Sequence, residues 1–126
     1  MIRFRPNVPE DVLTIADWIS VDQLHRHIEP GFFTEAAPNV SCYVVEDEGG
    51  PVMFIRQEVE GQSIRMHAQF CRGRERLAKV MAEAYPMWAE DLKARGFKQI
   101  RFELESSALI KLMLRFGYRA ELVTDL

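Results

Sequence analysis

The sequence predicts an α/β fold of the α+β kind. Its mixed, mostly antiparallel sheet is flanked by helices in the order β-α-α-β-β-β-α-β-α-β. Three observations predict it. Strand-like runs at residues 41–46, 52–60 and 63–70 follow one another across short glycine-containing turns, as antiparallel hairpins do. A long amphipathic pattern then runs from the turn Arg72-Gly73-Arg74-Glu75-Arg76 to Arg95-Gly96, long enough to cover a sheet. The tail reads strand, short helix, strand.

The first strand, 2–5, alternates and is stopped by Pro6. Pro9, Glu10 and Asp11 mark a helix's first turn. Val12, Ile15, Ala16 and Ile19 recur at helical spacing, which predicts a helix over 8–19. Residues 21–28 read as a second short helix, broken at Pro30-Gly31. Phe32, Phe33 and Pro38 lie in an apolar, irregular loop of the kind that lines a pocket. Asp47-Glu48-Gly49-Gly50 turns the first hairpin and Gly61-Gln62 the second.

In the long helix Leu77, Val80, Met81, Ala84, Tyr85, Trp88 and Leu92 share one face. Pro86 removes one backbone bond inside it, which predicts a kink or break near 82–85. Gly96 stops the helix. Ile100, Phe102 and Leu104 alternate along a strand over 97–104. Ser106 or Ser107 caps a helix carrying Leu109, Leu112, Met113 and Phe116. Gly117 ends it, and 118–123 is the last strand.

The 126 residues, 48% hydrophobic and 28% charged, suit one domain spanning 1–126 with a core of its own. A formal charge of -3 gives no domain-wide positive field, so general nucleic-acid binding is not expected. No apolar run approaches the roughly 20 residues of a membrane span, and the first residues alternate like a strand rather than a leader. A cytoplasmic location without membrane association is expected. Cys42 and Cys71 lack metal-site spacing and read as free thiols. His25 and His27 flank Arg26; in a helix they diverge, and no metal site is expected there. The same loop, with Glu29, Phe32 and Phe33, is a candidate acceptor wall or simply a cover on the core.

The strand feeding a helix through a cationic turn carries the chemistry. The first helical amides are unpaired and the helix dipole adds partial positive charge, so Arg72, Gly73, Arg74 and Arg76 make a candidate anion site. A solvated first turn covering the sheet edge is the alternative. His67 and Gln69 share the polar face of the preceding strand, opposite Met66, Ala68 and Phe70. They are either site residues or an ordinary polar pair.

This order of elements resembles the GNAT superfamily of acyl-coenzyme A dependent N-acyltransferases. Arg3-Phe4-Arg5-Pro6 with Asp11 is similar to that family's opening strand and first helix. Arg72-Gly73-Arg74 sits where the family has its pyrophosphate loop, and Ser106 through Gly117-Tyr118 resembles its later Asn-led helix closing on Gly-Phe. The resemblance implies acetyl-coenzyme A as acyl donor, with Gln69, Phe70, Cys71, Arg72, Gly73, Arg74 and Arg76 holding it. It implies an amine acceptor, small molecule or peptide, whose proton goes to His67 or Glu58, with Ser106 orienting a water or the cofactor thiol. Glu75 and Leu77 stand at the loop's two signature small positions, where they are expected to hinder a pyrophosphate. Met113 stands where the family often has a proton-donating tyrosine. A GNAT-shaped binding domain without turnover is therefore the other expectation. The short final strand leaves an edge that a second copy of the chain could cover.

Overall fold

The computed structural model describes residues 1–22, 25–103, 107–115 and 123–126. In chain order these form β1 (Arg3–Arg5), α1 (Asp11–Ile19), a 3-10 turn (Pro30–Phe33), β2 (Val40–Asp47), β3 (Gly50–Glu60) and β4 (Ser63–Phe70). Then come α2 (Arg74–Ala94), β5 (Gln99–Glu103), α3 (Ser107–Arg115) and β6 (Val123–Asp125). The six strands lie in sequence order in one sheet. All neighbours are antiparallel except β4 and β5, which run parallel with α2 as their crossover. Among the described residues no helix is long and apolar enough to cross a membrane.

The two hairpins form because their turns contain glycine where the chain reverses. Gly61, at φ 64°, joins β3 to β4 across a closing pair Glu60↔Ser63. Side-chain alternation then divides the sheet. Val45, Met53, Ile55, Ile64, Met66, Ile100 and Phe102 meet Leu77, Val80, Met81, Ala84, Trp88 and Leu92 of α2, together with Met113 of α3. Val44 and Phe54 meet Ile15 and Ile19 of α1 and Phe33 on the opposite face.

Four expectations need correction. The helix expected over 8–19 begins at Asp11, because the Asp11 carboxylate turns back to accept the Val8 N–H at 2.8 Å and both ends of the Arg5 fork. The second helix, expected over 21–28, is replaced by turns at its described residues and by the later 3-10 turn. There His25 and Phe33 are drawn into the face beneath α1, so burial overrides helical spacing. The long helix has no break near 82–85: it runs from Arg74 through Pro86 to Ala94. Pro86 and Ala82, whose carbonyl loses its bond, are both exposed, so solvent can satisfy that oxygen. The last strand pairs at Val123–Asp125, with Asp125 opposite Gln99; residues 118–122 lie outside the described residues.

Gly96, at φ 91°, ends α2 and lets the Phe97 N–H return to the Leu92 carbonyl at 3.0 Å. The chain then re-enters the sheet as β5, parallel to β4.

Candidate functional site

The polar face of β3 and β4, beneath α1, carries a connected set of side chains. Alternation sends Ile64, Met66 and Ala68 toward α2 and His67 and Gln69 the other way. Antiparallel register places Arg56 opposite His67 and brings Glu58 within a diagonal step. The His67 Nε2 lies 3.0 Å from Glu58 Oε1, and the Arg56 Nε donates to Glu58 Oε2 at 2.7 Å. Burial pushes the Glu58 carboxyl up, but the bonds from Arg56 and His67 outweigh it and hold the group below its ordinary value. An ionised, doubly bonded carboxylate is a weak base and a good orienter. Facing it, Nε2 is the N–H donor, which puts the imidazole lone pair on Nδ1.

The segment after α1 lies against this pair. Asp22 Oδ2 accepts from the Gln69 Nε2 at 2.7 Å and meets the His25 Nδ1 at 2.8 Å. His25 is buried, at 2% exposure, with its ring edge-on to Phe33 (5.3 Å between centroids) and to His67 (5.7 Å). Phe32 packs at 5.1 Å on His67 and lies under the Arg56 guanidinium, 4.2 Å from its centroid. His27 is exposed, so the two histidines do diverge, although the cause is burial of one and not helical geometry. Among the described residues no three His, Cys, Asp or Glu side chains converge as metal ligands would. Asp22 escaped notice in the sequence, because a lone aspartate after a helix carries no pattern.

At the far end of β4 the Cys71 N–H bonds the Val52 carbonyl at 2.8 Å. Odd-numbered residues of β4 therefore exchange backbone bonds with β3, and the even ones, Ala68 and Phe70, turn theirs toward β5. The last described β4–β5 pair is His67↔Glu103, and β4 itself runs on through Ala68 and Gln69 to Phe70, opposite residues outside the described ones. Gly73 follows as the extended N-cap of α2, and its carbonyl accepts the first helical bond, from the Leu77 N–H at 2.9 Å. The amides of residues 74–76 are thus the unpaired first-turn donors.

The basic side chains of this turn divide. Arg72 and Arg74 are exposed, and among the described residues Arg72 has one long contact, 3.4 Å to Asp17. Arg76 is committed: its fork binds both oxygens of Asp47, at 2.8 and 2.7 Å, and the Gly50 carbonyl at 2.9 Å. This holds the Asp47 carboxyl at about 2, and it ties α2 to the first hairpin. Leu77 is 2% exposed and points into the α2-side core, so it does not obstruct the loop as expected; Glu75 remains exposed in the first turn. A Cβ on Gly73 would meet nothing closer than the Arg76 Cβ at 3.6 Å, so the fold's own packing does not demand glycine there. Met113 is buried in the core. Gln69's side chain donates to Asp22 and so points to the α1 side of the sheet. Ser106 lies outside the described residues.

The chain matches no family model and no curated protein. Its shape is similar to solved N-acetyltransferases. One is the ribosomal-protein-S18-alanine N-acetyltransferase from Escherichia coli, with 15% identity, a TM-score of 0.67, and 94% of this chain and 78% of that one covered. The GNAT domain of S. lividans PAT matches at 13% identity and a TM-score of 0.64, covering 99% of this chain and 90% of that one. The aminoglycoside acetyltransferase AAC(6')-Ib, solved in complex with coenzyme A, matches at 11% identity and 0.68, over 94% and 84%. Likeness at such identities is one of architecture, and it agrees with the strand order and the parallel β4–β5 pair: the chain has the fold of the GNAT superfamily.

Proposed function

We propose that this chain is an acyl-coenzyme A dependent N-acyltransferase that moves an acetyl group from acetyl-coenzyme A to a primary amine. The observation that carries the reading is the stretch from His67 to Gly73. It combines an imidazole oriented by a carboxylate, a strand end with backbone groups directed toward β5, and a helix N-terminus with unpaired amides. The turn suits a pyrophosphate. Amides 74–76 point at it, Arg72 and Arg74 are exposed beside it, and Leu77 lies out of the way. Arg76 supports the turn through Asp47 and is a scaffold residue in this reading.

Acetyl-coenzyme A supplies an activated thioester. The amine nitrogen bonds to the thioester carbonyl carbon, the C–S bond breaks, and His67 takes the amine proton, with Glu58 orienting the ring and stabilising the imidazolium. Met113 has no proton to give, so the sulfur leaves as thiolate and is protonated afterwards. Ser106 remains the candidate for orienting a water or the cofactor thiol. The segment carrying Asp22, His25, Phe32 and Phe33 forms the acceptor-side wall.

Isothermal titration with acetyl-coenzyme A tests the reading. Micromolar binding that R72E abolishes supports it, and no binding at millimolar cofactor overturns it. A panel of primary amines followed by thiol release then tests turnover. The exposed carboxylate of Glu75 in the first turn of α2 favours a second reading, a GNAT-shaped binding domain without turnover. Cofactor binding with no thiol release across the panel would select it.

A further inference from the structure

Arg56 stands outside every motif in the sequence, yet it makes three contacts around the candidate base. Its Nε donates to Glu58 at 2.7 Å, its NH1 group donates to the Phe32 carbonyl at 3.0 Å, and its guanidinium plane lies over the Phe32 ring. Glu58 in turn orients His67, and the Phe32 ring packs against His67 at 5.1 Å. The contacts close a ring through Arg56, Glu58, His67 and Phe32. That ring joins β3 and β4 to the 3-10 turn.

We propose that Arg56 is a positioning residue for acyl transfer: one guanidinium aims the Glu58–His67 pair and seats Phe32, on the acceptor-side wall, beside it. This rests on the reading of His67 as the base. The planar fork is what the task needs, since it offers donors in two directions and a flat face to stack on an aromatic ring. A lysine at this position carries the charge but cannot hold the carboxylate, the carbonyl and the ring face together. Arg56 is mostly shielded, with its side chain 16% exposed, so its contacts are not those of a mobile surface arginine.

The same charge acts on His67. Arg56 is its register partner across β3. Among the described residues, the charged or titratable groups facing the imidazole include Glu58 on β3, His25 with its bonded Asp22, and Arg65 two residues away on β4; Glu103 is its register partner on β5. Loss of the Arg56 cation favours the imidazolium, so the titration of His67 moves to higher pH.

The test pairs R56M and R56K with two readouts: steady-state thiol release, and NMR titration of the His67 ring in the unliganded protein. R56M is expected to lower kcat about tenfold or more with acetyl-coenzyme A affinity unchanged, and to raise the His67 midpoint by about half a pH unit. R56K is expected to restore the midpoint while recovering only part of kcat. Wild-type kcat and an unmoved midpoint in both variants would overturn the proposal. Should R56M not fold, R56K decides alone, and a full wild-type kcat there overturns it. If the wild-type protein shows no turnover, the acyltransferase reading fails by itself. The coupling of Arg56 to His67 then stands or falls on the titration.

Discussion

On the α2 side of the sheet, β2 to β5 present Val45, Met53, Ile55, Ile64, Met66, Ile100 and Phe102, each at most 2% exposed. On the α1 side the same central strands present Glu46, Arg56, Glu58, His67 and Gln69 beside a smaller apolar group of Val44 and Phe54. One face gains stability from burial, which is non-directional and tolerant of small shifts. The other depends on hydrogen bonds whose partners must be within about 3 Å, so small shifts break its contacts before they break the fold. One exception on the α2 side is Tyr43, packed against that core. Its hydroxyl donates to the mostly buried Gln57 at 2.9 Å, and burial pushes its pKa up.

This division yields ordered expectations. The largest effect belongs to the α2 face. W88A removes the ring stacked on Phe4 and tilted on Phe102, and should cost about 3–5 kcal/mol in denaturant unfolding. A cost near that of a surface substitution would show that this face is not the main store of stability. Next, H67Q should lower kcat by about 10²-fold or more, about 3 kcal/mol of barrier, while leaving acetyl-coenzyme A affinity unchanged. Retained kcat would remove His67 as the base and leave the fold argument untouched.

Smaller again, Q69L deletes the buried amide that bonds Asp22. It should cost about 1–2 kcal/mol and raise the amine KM, with cofactor affinity unaltered. If cofactor affinity fell instead, Gln69 would belong to the donor site and not the acceptor wall. The smallest effect is electrostatic. Folding lowers the Asp47 carboxyl from 3.8 to about 2 through Arg76, so the pair stabilises the protein fully above pH 3.8 and is lost as pH falls through about 2. D47N keeps an oxygen for the Gly49 N–H at this turn. It should be less stable than wild type by about 1 kcal/mol at neutral pH, a gap that closes on acidification. A gap independent of pH would assign the loss to packing.

Much of the scaffold was legible because its signals are local. Asp47-Glu48-Gly49-Gly50 and Gly61-Gln62 announced two hairpins, and the helical spacing from Leu77 to Leu92 announced α2. His67 and Glu58 could be named from strand alternation and resemblance, but as alternatives for one role. Their 3.0 Å contact follows from the β3–β4 register, which a linear pattern does not state. Residues 21–28 misled because their apolar positions suit a helix, whereas His25 is held inward by Asp22, His67 and two phenylalanines. Arg72 and Arg76 look equivalent in the turn, yet only Arg76 finds a carboxylate pair across the hairpin.

The chain's periodicities and turn residues were enough to specify which segments are strands and helices, which faces are apolar, and where a strand feeds a helix through a basic turn. Those are nearest-neighbour matters, governed by backbone conformation and the burial of one side of each element. Which carboxylate serves which cation, and the seating of Asp22, His25 and Arg56 around His67, emerged with assembly alone. Their bonds join residues from 3 to 47 positions apart, whose partners are chosen by sheet register and by the desolvation that follows packing.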